Sequence, residues 1–587
     1  MSAMNWLHQP TRFLFFTGKG GVGKTSISAA TAITLADAGK RVLLVSTDAA
    51  SNLDEMLHVT LSNHATAVPG VPGLALINID PTEAARAYRQ RVVDQMGVSA
   101  TEQDKATVRE QLSGACTTEI ASFDEFSNLL ADQQQPYDHI VFDTAPSGHT
   151  LRLLSLPKAW SGFLADNDKG ASCLGPHSGL KMQEARFNQA LAALSNPALT
   201  SVVLVARPET SALREAARTS EELNALGLSK QRLVINGVFH ASVPDDAVAQ
   251  AIEKQGADAL ADMPAVLQVM PQDQVPLRAF DSVGLPALRA LLADSSDLPL
   301  RSMASVHALE AQKISRLVDD LALRNHGLIM VMGKGGVGKT TIAAALALGL
   351  LARGKTVHLS TTDPAAHLAQ TLQEQVPGLE ISRIDPRAET QKYIDKIMAA
   401  KGPALDANEK ALLLEDLQSP CTEEVAVFHA FAHIVAQARS GFVVLDTAPT
   451  GHSLLLMDAA GAYHRQMLST FEKKTGTAVN VVTPLMRLQD PEYTRIILVT
   501  LPEVTPVSQA AALQEDLRRA KIEPYAWVLN RSVLAAQPHD PLLLARLDGE
   551  VKQMHRIRNG LAKNVYAIAF QPQPPVGLEA LQKILLD

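Results

Sequence analysis

The chain has 587 residues, 46% hydrophobic, 19% charged and 4% aromatic, with a net charge of −8. That length is too great for one ordinary core and points to two to four folding units. Sparse aromatics and the lack of a dense Lys/Arg tract exclude the usual nucleic-acid binders, no uninterrupted apolar run reaches the roughly 18–20 residues of a membrane span, and 3 cysteines make no disulfide framework.

The amino terminus, Met1 to Pro10, has no basic segment followed by an apolar core, so it is not a signal peptide and a cytoplasmic location is expected. A strand predicted over Arg12 to Thr17 runs into Gly18, Lys19, Gly20, Gly21, Val22, Gly23, Lys24 and Thr25, and Ser26 opens an alanine-rich helix reaching Ala36. Strand, glycine-rich turn and helix in that order are the context of a phosphate-binding loop. Glycines let several backbone N–H groups converge on a polyphosphate, Lys24 supplies a charge for the β- and γ-phosphates, and the Thr25 hydroxyl is a ligand for Mg²⁺. The dipole of the helix adds to the same attraction.

Further strands are predicted over Arg41 to Thr47, with Asp48 just beyond, and over Ile140 to Thr144, which carries Asp143 at the head of Asp-Thr-Ala-Pro-Ser-Gly-His. Two more cover Ser201 to Ala206 and Arg232 to Asn236. A joining region follows, roughly residues 297–325, whose Ala/Leu/Lys/Asp pattern over Ser305 to Leu323 predicts a helix and an ordered linker.

Then the whole series recurs. A strand over Leu328 to Met332 leads into Gly333, Lys334, Gly335, Gly336, Val337, Gly338, Lys339 and Thr340, with Thr341 opening the helix to Leu351. Strands over Thr356 to Ser360, Phe442 to Asp446, Ile496 to Thr500 and Ala526 to Asn530 bring Asp363, Asp446 and Asn530 to the matching places. Matched positions stand 315 residues apart at Lys24 and Lys339, 305 at Cys116 and Cys421, 303 at Asp143 and Asp446, and 294 at Asn236 and Asn530. The first copy therefore holds extra residues between landmarks, as surface loops do.

Continuous Val/Leu/Ile runs suit parallel strands covered on both faces. The expected fold is α/β, with two homologous P-loop NTPase halves over residues 1–296 and 326–587. Each is a doubly wound, mostly parallel sheet flanked by helices, and the two face each other as a pseudo-dimer within a monomer. An aspartate after a strand is ordinarily a helix N-cap. Its duplication with identical flanks favours a switch role, with Asp48 and Asp363 positioning water and Asp143 and Asp446 holding the metal shell. Cys116 in Gly-Ala-Cys-Thr-Thr-Glu also matches Cys421 in Ser-Pro-Cys-Thr-Glu-Glu, whereas Cys173 has no counterpart. A free cysteine taken alone is more often a small buried hydrophobe than a ligand.

The lysine after the first glycine of each loop resembles the signature of deviant-Walker ATPases, which implies that Lys19 and Lys334 reach across to the facing nucleotide. Both loops, both Asp-Thr-Ala-Pro-x-Gly-His segments and all three cysteine contexts resemble the ArsA family of arsenite and antimonite pump ATPases. The resemblance implies Mg²⁺ and ATP as cofactors, base contact by Asn236 and Asn530, and a soft metalloid held by Cys116, Cys173 and Cys421 with His149, His452 and Ser419. It also implies that metalloid bridges the halves and accelerates hydrolysis by favouring a closed form. The implied partners are an ArsB-type membrane permease, which places the chain peripherally at the inner membrane, and an ArsD-type metallochaperone. A histidine after glycine in a loop is often a hydrogen-bonded switch residue instead, and a serine before proline, such as Ser419, a turn.

The related chaperone of tail-anchored membrane proteins is the alternative, but its Cys-x-x-Cys clasp is missing. A partition ATPase would carry a basic amphipathic tail, and a nitrogenase-type iron protein would need paired cysteines in each half.

Overall fold

The computed structural model describes the chain apart from residues 1–3, 48–52, 95, 97–100, 102–104, 106–107, 109–114, 132–134, 145–185, 187, 294–310, 364–367, 402, 404, 407–408, 411–412, 415–416, 418–419, 448–482 and 587. It divides into two compact units. One comprises Met1–Asp245 and Ala249–Ser302, the other Asp246–Val248 and Met303–Asp587.

In the first unit the described strands are β1 (Phe13–Thr17), β2 (Val42–Ser46), β3 (Thr66–Ala67), β4 (Leu74–Asn78), β5 (His139–Asp143), β6 (Thr200–Ala206), β7 (Gln231–Val238) and β8 (Gln272–Pro276). They form one sheet in the order β3-β4-β2-β5-β1-β6-β7-β8. Every pairing is parallel except that of β3 with β4. Runs such as Phe-Leu-Phe-Phe-Thr and Val-Leu-Leu-Val-Ser are buried at every position, because helices cover both faces of the sheet. Described helices include α1 (Lys24–Asp37), α2 (Pro81–Asp94), α3 (Ala115–Ala131), α4 (Thr210–Ala225) and α5 (Leu285–Leu291). α1 packs on β2, β5 and α5, and its alanines are small enough to let it lie close to the sheet.

The second unit repeats the plan with β9 (Gln312–Lys313), β10 (Gly327–Met332), β11 (Val357–Thr361), β12 (Leu379–Arg383), β13 (Phe442–Asp446), β14 (Thr494–Thr500), β15 (Ala526–Ser532) and β16 (Val565–Ala569). Its order is β12-β11-β13-β10-β14-β15-β16-β9, and all pairings are parallel. Its helices include α6 (Ile314–Ala322), α7 (Lys339–Ala352), α8 (Pro386–Lys401), α9 (Pro420–Gln437), α10 (Val504–Arg519) and α11 (Pro541–Arg556). Within the joining region, β9 pairs with β16 and α6 packs on α7.

Alternate residues of the second sheet enter different cores. Ile329, Val331, Val444, Ile497 and Val499 face one cluster, and Leu328, Met330, Val443, Leu445 and Leu498 the other. Period-two alternation with both faces apolar produces this division. In the first unit three aromatic rings lock the centre. Phe15 of β1 stacks on Phe142 of β5 at 4.4 Å between centroids, and Phe126 of α3 meets both edge-on at 5.8 and 5.2 Å. Registers matter as much as packing. Phe16 pairs with Asp143 in β5, and Val331 pairs with Asp446 in β13, so each aspartate stands where the central strand enters its loop.

Phe142 is fully buried, so Phe142→Ala is expected to destabilise the first unit by about 3–5 kcal/mol. Denaturant unfolding followed by circular dichroism reads this as an earlier transition for that unit, with the second unit's midpoint unmoved.

Candidate nucleotide sites at the carboxyl ends of the sheets

Each phosphate loop lies between a central strand and a buried helix, at the carboxyl edge where parallel sheets place ligands. Gly18 leaves β1 with φ +147°, and a Cβ there would lie 2.2 Å from the Val205 carbonyl oxygen of β6. Gly333 repeats this with φ +152° and 2.4 Å to the Val499 oxygen of β14. Only glycine lets the loop press so closely on its neighbouring strand. Gly23 and Gly338 N-cap α1 and α7 without any side-chain cap, which turns the dipole end of each helix toward its loop. Gly20, Gly21, Gly335 and Gly336 form the turns between, while Val22 and Val337 are buried beneath them.

The loop lysines are buried, Lys24 at 7% exposure and Lys339 at 6%. The Lys24 ammonium donates to the Lys19 carbonyl at 3.1 Å, and the Lys19 ammonium donates to Ser211 Oγ of α4 at 3.0 Å. Lys19 is thus held by its own unit. Lys334 occupies the matching loop position, half-buried. Thr25, Ser26, Thr340 and Thr341 fill the first helical turns.

The carboxylates are sharply placed. Asp446 ends β13 fully buried, and its Oδ2 accepts from Thr340 Oγ1 at 2.8 Å and from Thr361 Oγ1 at 3.2 Å. Its Oδ1 is buried with no hydrogen-bond partner, an orphan acceptor beside a loop hydroxyl. Hard oxygen donors so disposed fit a Mg²⁺ ion with water completing its shell. Burial raises the Asp446 carboxyl from 3.8 to about 6, and the Asp363 charge also raises it. Thr340, Lys339 and Thr361 pull the other way. The Asp363 N–H donates to Thr361 Oγ1 at 3.1 Å, which ties this candidate water-positioning residue to the same cluster. Asp143 is buried likewise at the end of β5. After each aspartate a threonine hydroxyl clamps the central strand, Thr144 to Phe16 O at 2.7 Å and Thr447 to Val331 O at 3.0 Å.

Asn236 and Asn530 lie against the loops themselves. Asn236 Nδ2 donates to Val22 O at 2.8 Å, and Asn530 Nδ2 donates to Val337 O at 2.9 Å. Behind Asn530, the Glu550 carboxylate of α11 accepts from the N–H groups of Val533 and Leu534 at 3.1 Å and from the Ser532 hydroxyl. Burial pushes Glu550 up to about 7 against these hydrogen bonds. The first unit offers a looser version, in which Glu253 accepts from Ala241 N at 3.1 Å and pairs with exposed His240.

Asp48, His149, Cys173, Ser419 and His452 lie outside the described residues. Cys116 and Cys421 belong to α3 and α9, each near the helix start, and their side chains are likewise outside the description. Sequence reasoning missed Ser211, Thr361 and Glu550. Thr361 was within reach, as it stands two residues before Asp363 at a strand end. Nothing in the sequence marks Ser211 or Glu550.

Because the folded protein keeps the Asp446 proton up to about pH 6 while an unfolded aspartate loses it near 3.8, this group increasingly disfavours folding as pH rises between those values. Asp446→Asn should therefore stabilise the ligand-free protein at pH 7.5 by about 1–3 kcal/mol. Thermal unfolding with and without magnesium checks this. The variant should also lose the stabilisation by magnesium and nucleotide at that site.

No described helix is long and apolar enough to cross a membrane. Residues 11–294 and 326–488 match the family model described as anion-transporting ATPase. The chain is 50% identical over 586 residues to the "Arsenical pump-driving ATPase" of Acidiphilium multivorum, covering 99% of this chain and 100% of that one. A protein of the same name from Escherichia coli is 49% identical over 587 residues, with 99% and 100% coverage. The "ATPase GET3" of Komagataella phaffii is 28% identical over 252 residues, which is 39% of this chain and 73% of that protein. Matched by the family model across both of its loops and similar along its whole length to two such relatives, the chain belongs to the anion-transporting ATPase family.

Proposed function

We propose that this chain is the ATP-hydrolysing subunit of an arsenite and antimonite efflux pump. The observation that carries the proposal is similarity at 49–50% identity, end to end, to relatives named for driving an arsenical pump. The tail-anchored-protein chaperone reading has weaker support, because its similarity covers only 39% of the chain.

In this reading Lys24 and Lys339 place their charges on the transferring phosphate, and the loop N–H groups hold the remaining oxygens. Thr25 with Asp143, and Thr340 with Asp446, would hold Mg²⁺, which neutralises charge developing on the β- and γ-phosphates. Asp48 and Asp363 orient the attacking water. Lys19 and Lys334 contribute further positive charge, as their place in the loop supports. Metalloid is cargo and activator, bound by the thiolates of Cys116, Cys173 and Cys421 with His149, His452 and Ser419. Each histidine lies six residues beyond a metal-holding aspartate, Asp143 or Asp446, along one continuous segment. Metalloid at that segment therefore acts on the magnesium shell by shifting a conformational equilibrium. Export itself needs a membrane permease, and an arsenic metallochaperone delivers the cargo.

Steady-state Mg-ATP hydrolysis should rise on adding arsenite or antimonite under reductants that do not sequester them. Cys421→Ser and Cys116→Ser should keep the basal rate and lose the rise. Full stimulation in both variants would remove the cysteines from the mechanism. Lys339→Ala should abolish turnover at its own site, because that lysine supplies charge both for holding the phosphates and for the transition state. Single-turnover kinetics with a Lys24→Ala background isolates that site.

A further inference from the structure

We infer that Asn236 and Asn530 are positioning residues that hold the last glycine of each phosphate loop in its left-handed conformation, and that they thereby set affinity for the triphosphate itself. The inference rests on the reading of both loops as triphosphate sites.

Three observations converge in each unit. The first is a β-bulge directly at the asparagine. Pairing of β7 with β8 slips between Asn236 and Val238, and pairing of β15 with β16 slips between Leu529 and Ser532. The residue after each asparagine is left-handed, Gly237 at φ +83° and Arg531 at φ +60°. A bulge bends the strand and re-aims the adjoining side chain. Arginine adopts positive φ only at a cost, so the second unit keeps the bulge where its sequence disfavours it.

The second observation is the contact itself. Each side-chain amide donates to the valine carbonyl just before the glycine, at 2.8 Å in one unit and 2.9 Å in the other. Only the amide nitrogen can donate, so the carbonyl settles which way the amide faces. In the second unit Asn530 Oδ1 also accepts from the Arg531 N–H at 3.0 Å, which fixes the side chain further.

The third is the glycine. Gly23 has φ +91° and Gly338 has φ +93°, and a Cβ at either would lie 2.2 Å from the asparagine Nδ2. The asparagine thus occupies the space that a side chain would need.

The consequence follows from peptide planarity. In a trans peptide the C=O and N–H point in opposite directions. Tying the Val22 carbonyl to Asn236 therefore aims the Gly23 N–H away from the asparagine, and the same holds for Val337, Asn530 and Gly338. A glycine peptide without that tie can flip, and a flipped peptide would present carbonyl oxygen to phosphate where an N–H is required. A contact with the base alone would need neither the bulge nor the bond to the loop.

Inorganic tripolyphosphate, which has no base, separates the two roles. In the full-length chain, Asn236→Ala/Asn530→Ala and the bulkier Asn236→Leu/Asn530→Leu keep the site neutral while removing the donor. Calorimetric titration with Mg-tripolyphosphate and with Mg-ATP should show both affinities falling by a similar factor, about five- to tenfold. The ratio of ATP to GTP affinity should stay at its wild-type value. Thermal unfolding of the ligand-free variants confirms that they fold. Weaker ATP binding with unchanged tripolyphosphate binding, or a collapsed ATP to GTP ratio, would overturn the inference and leave base contact as the whole role. Failure of the wild-type chain to bind Mg-ATP would instead overturn the phosphate-loop reading on which it rests.

Discussion

An ammonium and a carboxylate are buried together where the second sheet's central strand gives way to its loop. Lys339 is nearly inaccessible and Asp446 fully so. Burial alone would cost several kcal/mol per isolated charge, and the surroundings are organised around that cost. The Thr340 and Thr361 hydroxyls both donate to Asp446. The attraction of Lys339 works in the same direction but does not cancel desolvation, since the carboxyl still sits at about 6. A cation at the orphan Oδ1 would supply a further favourable term. Strand register, helix position and loop glycines all serve to bring these groups to one point, and the first unit repeats the register at Asp143.

Duplication kept that point and relaxed what lies around it. Both units share the sheet order around the central strand, the loop dihedrals and the asparagine contact. They differ one layer away. The loop beyond Asn530 rests on buried Glu550, which titrates near neutrality, while the corresponding loop of the first unit rests on Glu253 paired with an exposed histidine. Between α2 and α3 the Asp124 carboxylate joins Arg91 and Arg186, whereas in the matching helices of the second unit burial, with repulsion from Lys396 added to it, lowers the pKa of His429. Two sites built on one plan thus stand in different electrostatic surroundings.

Much of this was legible in the sequence because its causes are local. An apolar run, four glycines, a lysine and a threonine in fixed order specify strand, loop and helix without knowledge of the remaining chain. Repetition at matched intervals then turned Asp143 and Asp446 from ordinary strand-end aspartates into candidates for the metal shell. What could not be read depends on contacts between distant segments. Glu550 lies 18 residues from the serine it holds, and Lys19 lies 192 residues from Ser211. The bulges after Asn236 and Asn530 were hidden for another reason: glycine at 237 hints at one, but arginine at 531 hides the other. The asparagines resemble base-contacting residues in sequence, while their bonds to the loops join segments 214 and 193 residues apart, which no local pattern displays.

The loop geometry assigns each half its own phosphate-binding site. Equilibrium binding of a non-hydrolysable Mg-ATP analogue to the full-length chain tests this assignment most directly. Two nucleotides per chain are expected, falling to one in Lys24→Ala and to one in Lys339→Ala. A wild-type stoichiometry of one, or loss of both nucleotides on either single substitution, would contradict it.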